Sequence, residues 1–374
     1  MKLNEIKLEN FRNIEKMVCN PCESVNIIYG DNAQGKTNLI ESIWLFTGNQ
    51  SFRGSKMSEL IQFNQQQTKI TILFSDKERQ QNAEFSIGSK KNITVNHIPL
   101  KKQSELNGVF YAVVFSPSHL SLIKDGPQNR RKFIDIAVSQ IKPQYDDYLS
   151  KYEKILEQRN AFLKYSNRYP NLEQDIDIWD IQLSKIGTIL SIYRNDYIKK
   201  LLSFSQLIYK GLSSKKEEFF IQYISTIYEN MDEITVYDDK QVEQYYNKLK
   251  ETYHLDVKLG YTTCGIHRDD LEITINGHSV KNFGSQGQQR SSVIALKLSE
   301  AGILKKATGE NPIILLDDVM SELDEKRQDY ILNHVKEMQV FITCCDVSNT
   351  EKLKNGRVFH IQNGEINEVY DIKT

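Results

Sequence analysis

The first third of the chain carries short apolar runs of the kind that form β-strands. Val25–Tyr29, Ile70–Phe74 and Val109–Phe115 are rich in β-branched and aromatic residues, and polar clusters bound each of them. Such runs are typical of strands separated by turns. We therefore predict a β-rich segment that ends near residue 125.

The middle of the chain has a different period. Between about residues 143 and 210, apolar residues recur at steps of three and four, for example at Trp179, Leu183 and Ile186. This spacing places them on one face of a helix. We predict a mainly helical segment at 126–254, with the turn between two long antiparallel helices at Tyr165–Asp175.

The α/β pattern returns after residue 255. Leu271–Ile275 has the pattern of a strand, and Ser291–Leu304 that of a helix. Pro312–Leu316 and Val340–Thr343 are short, continuously apolar runs, as buried parallel strands are. The last third is thus predicted to pair parallel strands with helices.

Composition narrows the class of protein. The 374 residues include 48 Lys and Arg against 49 Asp and Glu, so the chain is not basic throughout, although a local basic surface is still possible. No apolar run approaches the about 20 residues of a membrane-spanning helix, and the N-terminus lacks the apolar core of a signal peptide. Five cysteines do not make a disulfide framework. We expect a cytoplasmic protein.

A phosphate-binding loop is the clearest motif in the sequence. It fits G-x-x-x-x-G-K-[ST] and lies between a strand candidate and a helix candidate, Asn38–Thr47. Its glycines let the backbone approach phosphates, and the helix N-terminus adds partial positive charge. We predict that Lys36 reaches the β- and γ-phosphates of a nucleotide and that Thr37 ligates Mg²⁺. The predicted nucleotide-binding residues are Gly30, Asp31, Asn32, Ala33, Gln34, Gly35, Lys36 and Thr37.

A nucleotide-hydrolysing site also needs acidic residues. Two carboxylates, Asp317 and Asp318, end the apolar run that starts at Ile313. We predict that Asp317 holds Mg²⁺ and that Asp318 orients or deprotonates the attacking water, which makes Lys36, Asp317 and Asp318 the catalytic set. The alternative is that the Asp-Asp pair merely caps a helix.

The phosphate loop and the acidic strand lie far apart in the chain. We therefore predict one α/β ATPase head that is split by an insertion: residues 1–125 form its N-terminal half, 126–254 an inserted helical lobe, and 255–374 its C-terminal half. A turn rich in Gly, Ser and Gln, Phe283–Arg290, precedes the acidic strand. Its N–H groups and the Ser285 hydroxyl are a candidate second anion-binding surface, which in a dimer would close on the γ-phosphate held by the other chain. The alternative is a polar linker.

The order of these motifs resembles the ABC-type ATPase heads of the SMC family, and more closely the RecF family of bacterial recombinational repair proteins. The resemblance covers the full chain, and it is carried by the segments Leu8–Asn13, Gly30–Thr37, Phe115–Leu120, Gly126–Asp135, Gly265–Leu271, Ser285–Arg290 and Leu315–Asp324.

The resemblance implies an ATP-dependent homodimer that clamps double-stranded DNA at junctions with single-stranded gaps. It implies RecR and RecO as partners, a role in RecA loading and SOS induction, and a weak, DNA-stimulated ATPase. It also implies that Arg12 or Asn13 approaches the nucleotide, and that Ser285, Gly287 and Gln288 act in trans.

The chain departs from transporter-type ATPases at two positions. Ser116 stands near the place of their Gln, and Thr343–Asp346 lacks their switch His. The alternative function, an ATPase subunit that energises a transporter or another SMC-like complex, is disfavoured by these departures and by the size of the helical insertion.

Two short basic clusters are candidates for DNA contact. Arg53 and Lys56 flank a Gly-Ser pair after the first helix, and Arg130–Lys132 follow Lys124. We predict DNA binding by Arg53, Lys56, Arg130 and Arg131, which should weaken with salt because each phosphate contact releases counterions. The alternative is that the two adjacent arginines pair with carboxylates or brace the dimer.

Overall fold

The computed structural model describes residues 1–165, 175–213, 217–346 and 355–373. The chain forms two compact units. The first contains the described residues of Met1–Leu120, Leu207–Lys216 and Arg290–Thr374, and the second those of Ser121–Gln206 and Glu217–Gln289. The second unit therefore lies, in sequence, between parts of the first.

An antiparallel sheet forms one layer of the first unit. Its described strands are β1 (Lys2–Phe11), β2 (Ile14–Cys19), β4 (Thr68–Ser75), β5 (Gln80–Ile87), β6 (Lys91–Val95) and β7 (Ile98–Leu100). They follow the order β2-β1-β4-β5-β6-β7. Along β4, buried and half-exposed residues alternate, as they do in a strand with one face on the core.

A mainly parallel sheet holds the predicted site. Its described strands are β3 (Val25–Tyr29), β8 (Ala112–Phe115), β12 (Ile313–Asp317), β13 (Val340–Cys344), β14 (Asn355–Gln362) and β15 (Glu365–Lys373), in the order β15-β14-β3-β13-β12-β8. Every residue of β12 is buried, which accounts for its unbroken apolar run. Since β3, β12 and β13 run parallel, their carboxyl ends meet at one edge.

The described residues also form helices. Pro127 begins one of them without loss of a hydrogen bond, since the first N–H of a helix has no intrahelical acceptor. None of the helices that the structure describes has the length and apolar character needed to cross a membrane. Their bounds are α1 (Lys36–Trp44), α2 (Ser121–Lys124), α3 (Pro127–Ile141), α4 (Gln144–Lys164), α5 (Asp177–Leu212), α6 (Asp239–Leu259), α7 (Val280–Phe283), α8 (Gln286–Thr308) and α9 (Glu325–Val335).

The second unit is mainly helical and also contains a small antiparallel sheet. Within the described residues, the sheet order is β11 (His278–Ser279), β10 (Asp270–Ile275) and β9 (Phe219–Ile224). A fully buried Arg159 joins three helices: Nε donates to Asp180 Oδ1 at 2.6 Å, and Nη1 donates to Asp256 Oδ2 at 2.7 Å. Buried charges of this kind are tolerated because they are paired.

Most predicted elements are confirmed, and three boundaries are wrong. The run at Val109–Phe115 forms a strand only from Ala112, and α8 begins at Gln286 rather than at Ser291. Residues 255–289 group with the second unit instead of the head, because β10 pairs with β9. The turn predicted at Tyr165–Asp175 lies for the most part outside the described residues.

Candidate nucleotide-binding site

The loop between β3 and α1 has a backbone that requires glycine. Gly30 has φ of 150°, and a Cβ atom there would lie 2.2 Å from the carbonyl oxygen of Ile361. Gly35, with φ of 114°, immediately precedes α1. Residues with side chains rarely adopt these angles, so both glycines are needed to bring the loop against the helix N-terminus. The N–H groups of that N-terminus are oriented to bind an anion.

Lys36 lies at the start of α1, and its side chain folds back over the loop. Only 4% of the residue is exposed, and Nζ donates to the carbonyl oxygens of Gly30 at 2.7 Å and Asp31 at 3.0 Å. The ammonium is thereby held at the mouth of the loop that Gly30–Thr37 form. An anion in the loop would replace these neutral acceptors with a charged one, and charge-assisted hydrogen bonds are about twice as strong as neutral ones.

The acidic strand places a carboxylate next to the loop. Thr37 Oγ1 donates a hydrogen bond to Asp317 Oδ1 at 2.8 Å, and Thr343 Oγ1 donates to the same oxygen at 3.0 Å. Burial raises the pKa of the Asp317 carboxyl, while the two hydroxyl donors act in the opposite direction. A cation would relieve the cost of this buried negative charge.

The donor set fits Mg²⁺. This ion prefers oxygen ligands and is usually held by one or two protein groups together with phosphate oxygens and water. Thr37 Oγ1 and Asp317 Oδ1 are two such oxygens at the mouth of the phosphate loop. When bound, Mg²⁺ would neutralise charge on the phosphates.

The second carboxylate, Asp318, has an unusual backbone. Its φ is 52°, in the left-handed region, and its N–H donates to Thr343 Oγ1 at 2.9 Å. Asp318 is less buried than Asp317, and the strand ends between the two residues. Its position after the strand is therefore compatible with contact to a water at the edge of the sheet.

Arg12 and Asn13 have different surroundings. Asn13 Nδ2 donates to the carbonyl oxygen of Ala33, within the phosphate loop, at 3.0 Å. Arg12 instead pairs with the fully buried Glu41, through Nε at 3.0 Å and Nη2 at 2.9 Å, and also donates to Ser55 Oγ. Of the two predicted residues, only Asn13 touches the loop, because Glu41 on α1 draws the Arg12 guanidinium to itself.

The turn at Ser285–Gln288, called the Ser285 turn below, belongs to the second unit. The Ser285 N–H donates to Gln288 Oε1 at 2.8 Å, and the Gln288 N–H donates to Ser285 Oγ at 3.2 Å, which is a reciprocal capping box at the start of α8. Gly287 lies in the first helical turn. Ser285 is exposed, and because its Oγ accepts, its hydroxyl proton can still donate to an anion.

The predicted DNA contacts divide into two groups. Arg53 and Lys56 are exposed, although Arg53 Nη1 also donates to Asn38 Oδ1 at 2.9 Å. The structure contradicts the prediction that Arg130 contacts DNA. Arg130 is 6% exposed and forms a bidentate ion pair with Asp270, at 2.6 and 2.9 Å.

Arg131 is held in a similar way. It is half-buried, and its Nη1 donates to the carbonyl oxygen of Asp269 at 2.8 Å. The alternative interpretation, in which the two adjacent arginines pair with acidic residues, accounts for Arg130, because the Asp270 carboxylate already accepts two parallel hydrogen bonds from its guanidinium. The exposed cations of this cluster are Lys124 and Lys132.

Three contacts of the site were not predicted. Thr343 touches both acids, Glu41 anchors Arg12, and Cys345 Sγ lies 3.2 Å from Asn32 Oδ1 and 3.8 Å from Lys36 Nζ. The sequence could have indicated two of these residues, because Thr343 and Cys345 lie at the end of a predicted buried parallel strand, where ligand-binding residues are commonly found. Nothing in the sequence distinguishes Glu41 from a surface residue of α1.

The parallel sheet, the glycine loop and the paired acids define the class: this is a P-loop head of the ABC-type ATPases. Residues 2–367 match the family described as RecF/RecN/SMC N terminal domain. The chain belongs to the RecF family, and the predicted fold class is confirmed.

Relatives support this assignment over the whole chain. The DNA replication and repair protein RecF of Alkaliphilus oremlandii is 42% identical over 371 residues, which is 98% of this chain and 100% of the relative. That of Clostridium acetobutylicum is 40% identical, with coverage of 98% and 100%.

Solved structures agree with these relatives. The recombination mediator protein RecF-ATPrS of the RecFOR pathway matches with a TM-score of 0.90 at 38% identity, over 97% of each chain. A Smc head domain from Pyrococcus furiosus shares only the fold, with a TM-score of 0.55 at 15% identity over 100% of this chain and 96% of that one.

Proposed function

We propose that this chain is an ATP-driven DNA clamp of recombinational repair. The observation that carries the proposal is that Lys36, Thr37 and Asp317 meet at the carboxyl edge of one parallel sheet. That arrangement supplies an ammonium, a hydroxyl and a carboxylate for one triphosphate and its Mg²⁺. Similar structures described as RecF-ATP and RecF-ATPrS support ATP as the nucleotide.

ATP would act by joining two copies of the chain. Ser285 and Gln288 cap the start of α8, and Gly287 lies in its first turn, where a helix N-terminus and the Ser285 hydroxyl proton could face the γ-phosphate held by a second copy. Each nucleotide would then lie between the phosphate loop of one chain and the Ser285 turn of the other. Such a twofold arrangement creates two identical sites per homodimer.

Hydrolysis would release the clamp. Asp318 would accept the proton of the attacking water, while Lys36 stabilises charge on the phosphates. We expect slow turnover that DNA stimulates, since the chain lacks the Gln of transporter-type ATPases near Ser116 and their switch His within Thr343–Asp346. Bound ATP would then serve mainly to keep the dimer closed.

Double-stranded DNA beside a single-stranded gap is the proposed ligand, with RecR and RecO as protein partners in RecA loading and SOS induction. The names of the relatives support repair, and the RecFOR pathway of the similar structure supports these partners. On this chain, the exposed Arg53–Lys56 segment is the proposed contact with DNA phosphates.

DNA affinity should rise with ATP and fall steeply with salt, because phosphate contacts release counterions. Fluorescence anisotropy with a gapped duplex, measured with and without ATP in a salt series, gives both dependences. Lys56→Glu should weaken binding and reduce the magnitude of the slope of log affinity against log salt by about 1.8, because each dimer loses two phosphate contacts worth about 0.9 each.

Lys90→Glu is the matched control for this experiment, since Lys90 is an exposed lysine on the turn between β5 and β6. It makes the same change of charge and should leave the slope unaltered. Binding that is equal with and without ATP, or that does not depend on salt, would contradict the clamp.

Bound ATP should also protect Cys345 from alkylation, because the thiol is exposed and lies beside Lys36 and Asn32. Peptide mapping after brief treatment with N-ethylmaleimide should find less label at Cys345 when MgATP is present. Cys22 serves as the internal control, with the same labelling in both samples. Equal labelling of Cys345 with and without MgATP would place the nucleotide elsewhere.

A further inference from the structure

Thr343 connects the two acids of the site through a single hydroxyl. The residue is 1% exposed and lies near the end of β13, directly opposite Asp317 in the register of the parallel strands. Its Oγ1 donates to Asp317 Oδ1 at 3.0 Å and accepts from the Asp318 N–H at 2.9 Å. Both bonds are within the range of good hydrogen bonds.

The hydroxyl therefore serves both acids. It has one proton to donate, and the nearer acceptor is Asp317 Oδ1 at 3.0 Å, with Asp318 Oδ1 at 3.5 Å, while a lone pair accepts from the backbone N–H of Asp318. The backbone of Asp318 has φ of 52°, a conformation that residues other than glycine seldom adopt. Without an acceptor for its N–H, the Asp318 peptide would lose a bond that keeps it in this conformation.

The other hydrogen-bond donor to Asp317 is Thr37, which has a different predicted role. Thr37 Oγ1 also donates to Asp317 Oδ1, at 2.8 Å, but Thr37 belongs to the phosphate loop and is the predicted Mg²⁺ ligand. Thr343 lies on the neighbouring strand, outside that loop. It can therefore hold Asp317 while Thr37 changes its partner.

We propose that Thr343 is a positioning residue for ATP hydrolysis, which holds the Asp317 carboxylate and the Asp318 backbone in their working orientations. The inference rests on the proposed ATPase function. It assigns no contact with ATP to Thr343, so the residue should affect turnover far more than ATP binding. A misplacement of about 1 Å is enough to cost about 100-fold in rate.

Two substitutions separate the hydroxyl from the packing of the side chain. Thr343→Val keeps the branched shape without the hydroxyl, and Thr343→Ser keeps the hydroxyl. For Thr343→Val we expect kcat to fall about 10- to 100-fold while the ATP dissociation constant changes less than about threefold. Thr343→Ser should stay within about threefold of the wild-type kcat.

Several outcomes overturn the proposal. These are a valine variant with the wild-type kcat, serine and valine variants with equal losses, and an ATP affinity that falls as much as kcat. If the valine variant fails to fold, Thr343→Ala replaces it, and a wild-type kcat in that variant would equally overturn the proposal. A wild-type chain that binds ATP without hydrolysing it would instead contradict the proposed function.

Discussion

Lys36→Arg should abolish ATP-driven dimerisation. The ammonium of Lys36 is almost fully buried and is held by two loop carbonyls, so there is no room for the larger, planar guanidinium of arginine in the same place. The nucleotide would lose its main cationic contact, and with it the bridge between two chains. Light scattering should give a dimer mass for the wild type with ATP and a monomer mass for the variant.

Lys90→Arg is the control for this substitution, because it makes the same chemical change at an exposed turn. It should dimerise with ATP like the wild type. A Lys36→Arg variant that still forms ATP-dependent dimers would refute the sandwich of nucleotide between two chains.

Asp318→Asn should slow hydrolysis by about 100-fold or more and leave ATP bound. The amide has nearly the shape of the carboxylate but cannot accept the proton of water. The backbone bond from residue 318 to Thr343 is unaffected by this change, so the strand end should keep its structure. The consequence is a dimer that persists after ATP addition, when the wild type returns to monomer as the nucleotide is consumed.

Phosphate release and light scattering on the same sample measure both effects. Asp329→Asn, at an exposed position of α9, is the matched control and should behave as the wild type does. Normal turnover in Asp318→Asn would remove Asp318 from the mechanism.

Local patterns predicted the centre of the site well. The loop from Gly30 to Thr37 has its glycines, lysine and threonine consecutive in sequence, so the strand, turn and helix around it could be recognised directly. The acids at the end of β12 could be predicted for the same reason, because four apolar residues and two carboxylates make a short, self-contained signal.

Residues that act through distant partners could not be predicted. Arg130 looked like a DNA contact, but Asp270, 140 positions away, buries its charge in an ion pair. The position of Thr343 opposite Asp317 depends on the pairing of β12 with β13. The boundary at residue 255 was wrong because β10 pairs with β9, and sequence periodicity does not reveal which strands become neighbours.

Because the charges of the chain are balanced, any DNA contact must come from a small local basic surface. A net charge of −1 leaves no general attraction for DNA, and the burial of Arg130 removes one of the predicted contacts. The proposed DNA surface is therefore small on a single chain. Two copies joined by ATP would double it, which explains physically why affinity should depend on the nucleotide.

The most direct test of a nucleotide site shared between two chains is to mix two inactive variants. Lys36→Arg lacks a working phosphate loop, and Ser285→Arg lacks a working turn at α8, so each alone should show almost no ATPase activity. A mixed dimer would contain one intact site, made from the loop of the Ser285→Arg chain and the turn of the Lys36→Arg chain. Because Lys36→Arg chains should not pair with one another, the ATP-bound dimers that form are mixed, and each has one intact site of two. Equal amounts should therefore recover up to about half of the wild-type ATPase activity. A mixture that stays as inactive as its components would contradict the shared site.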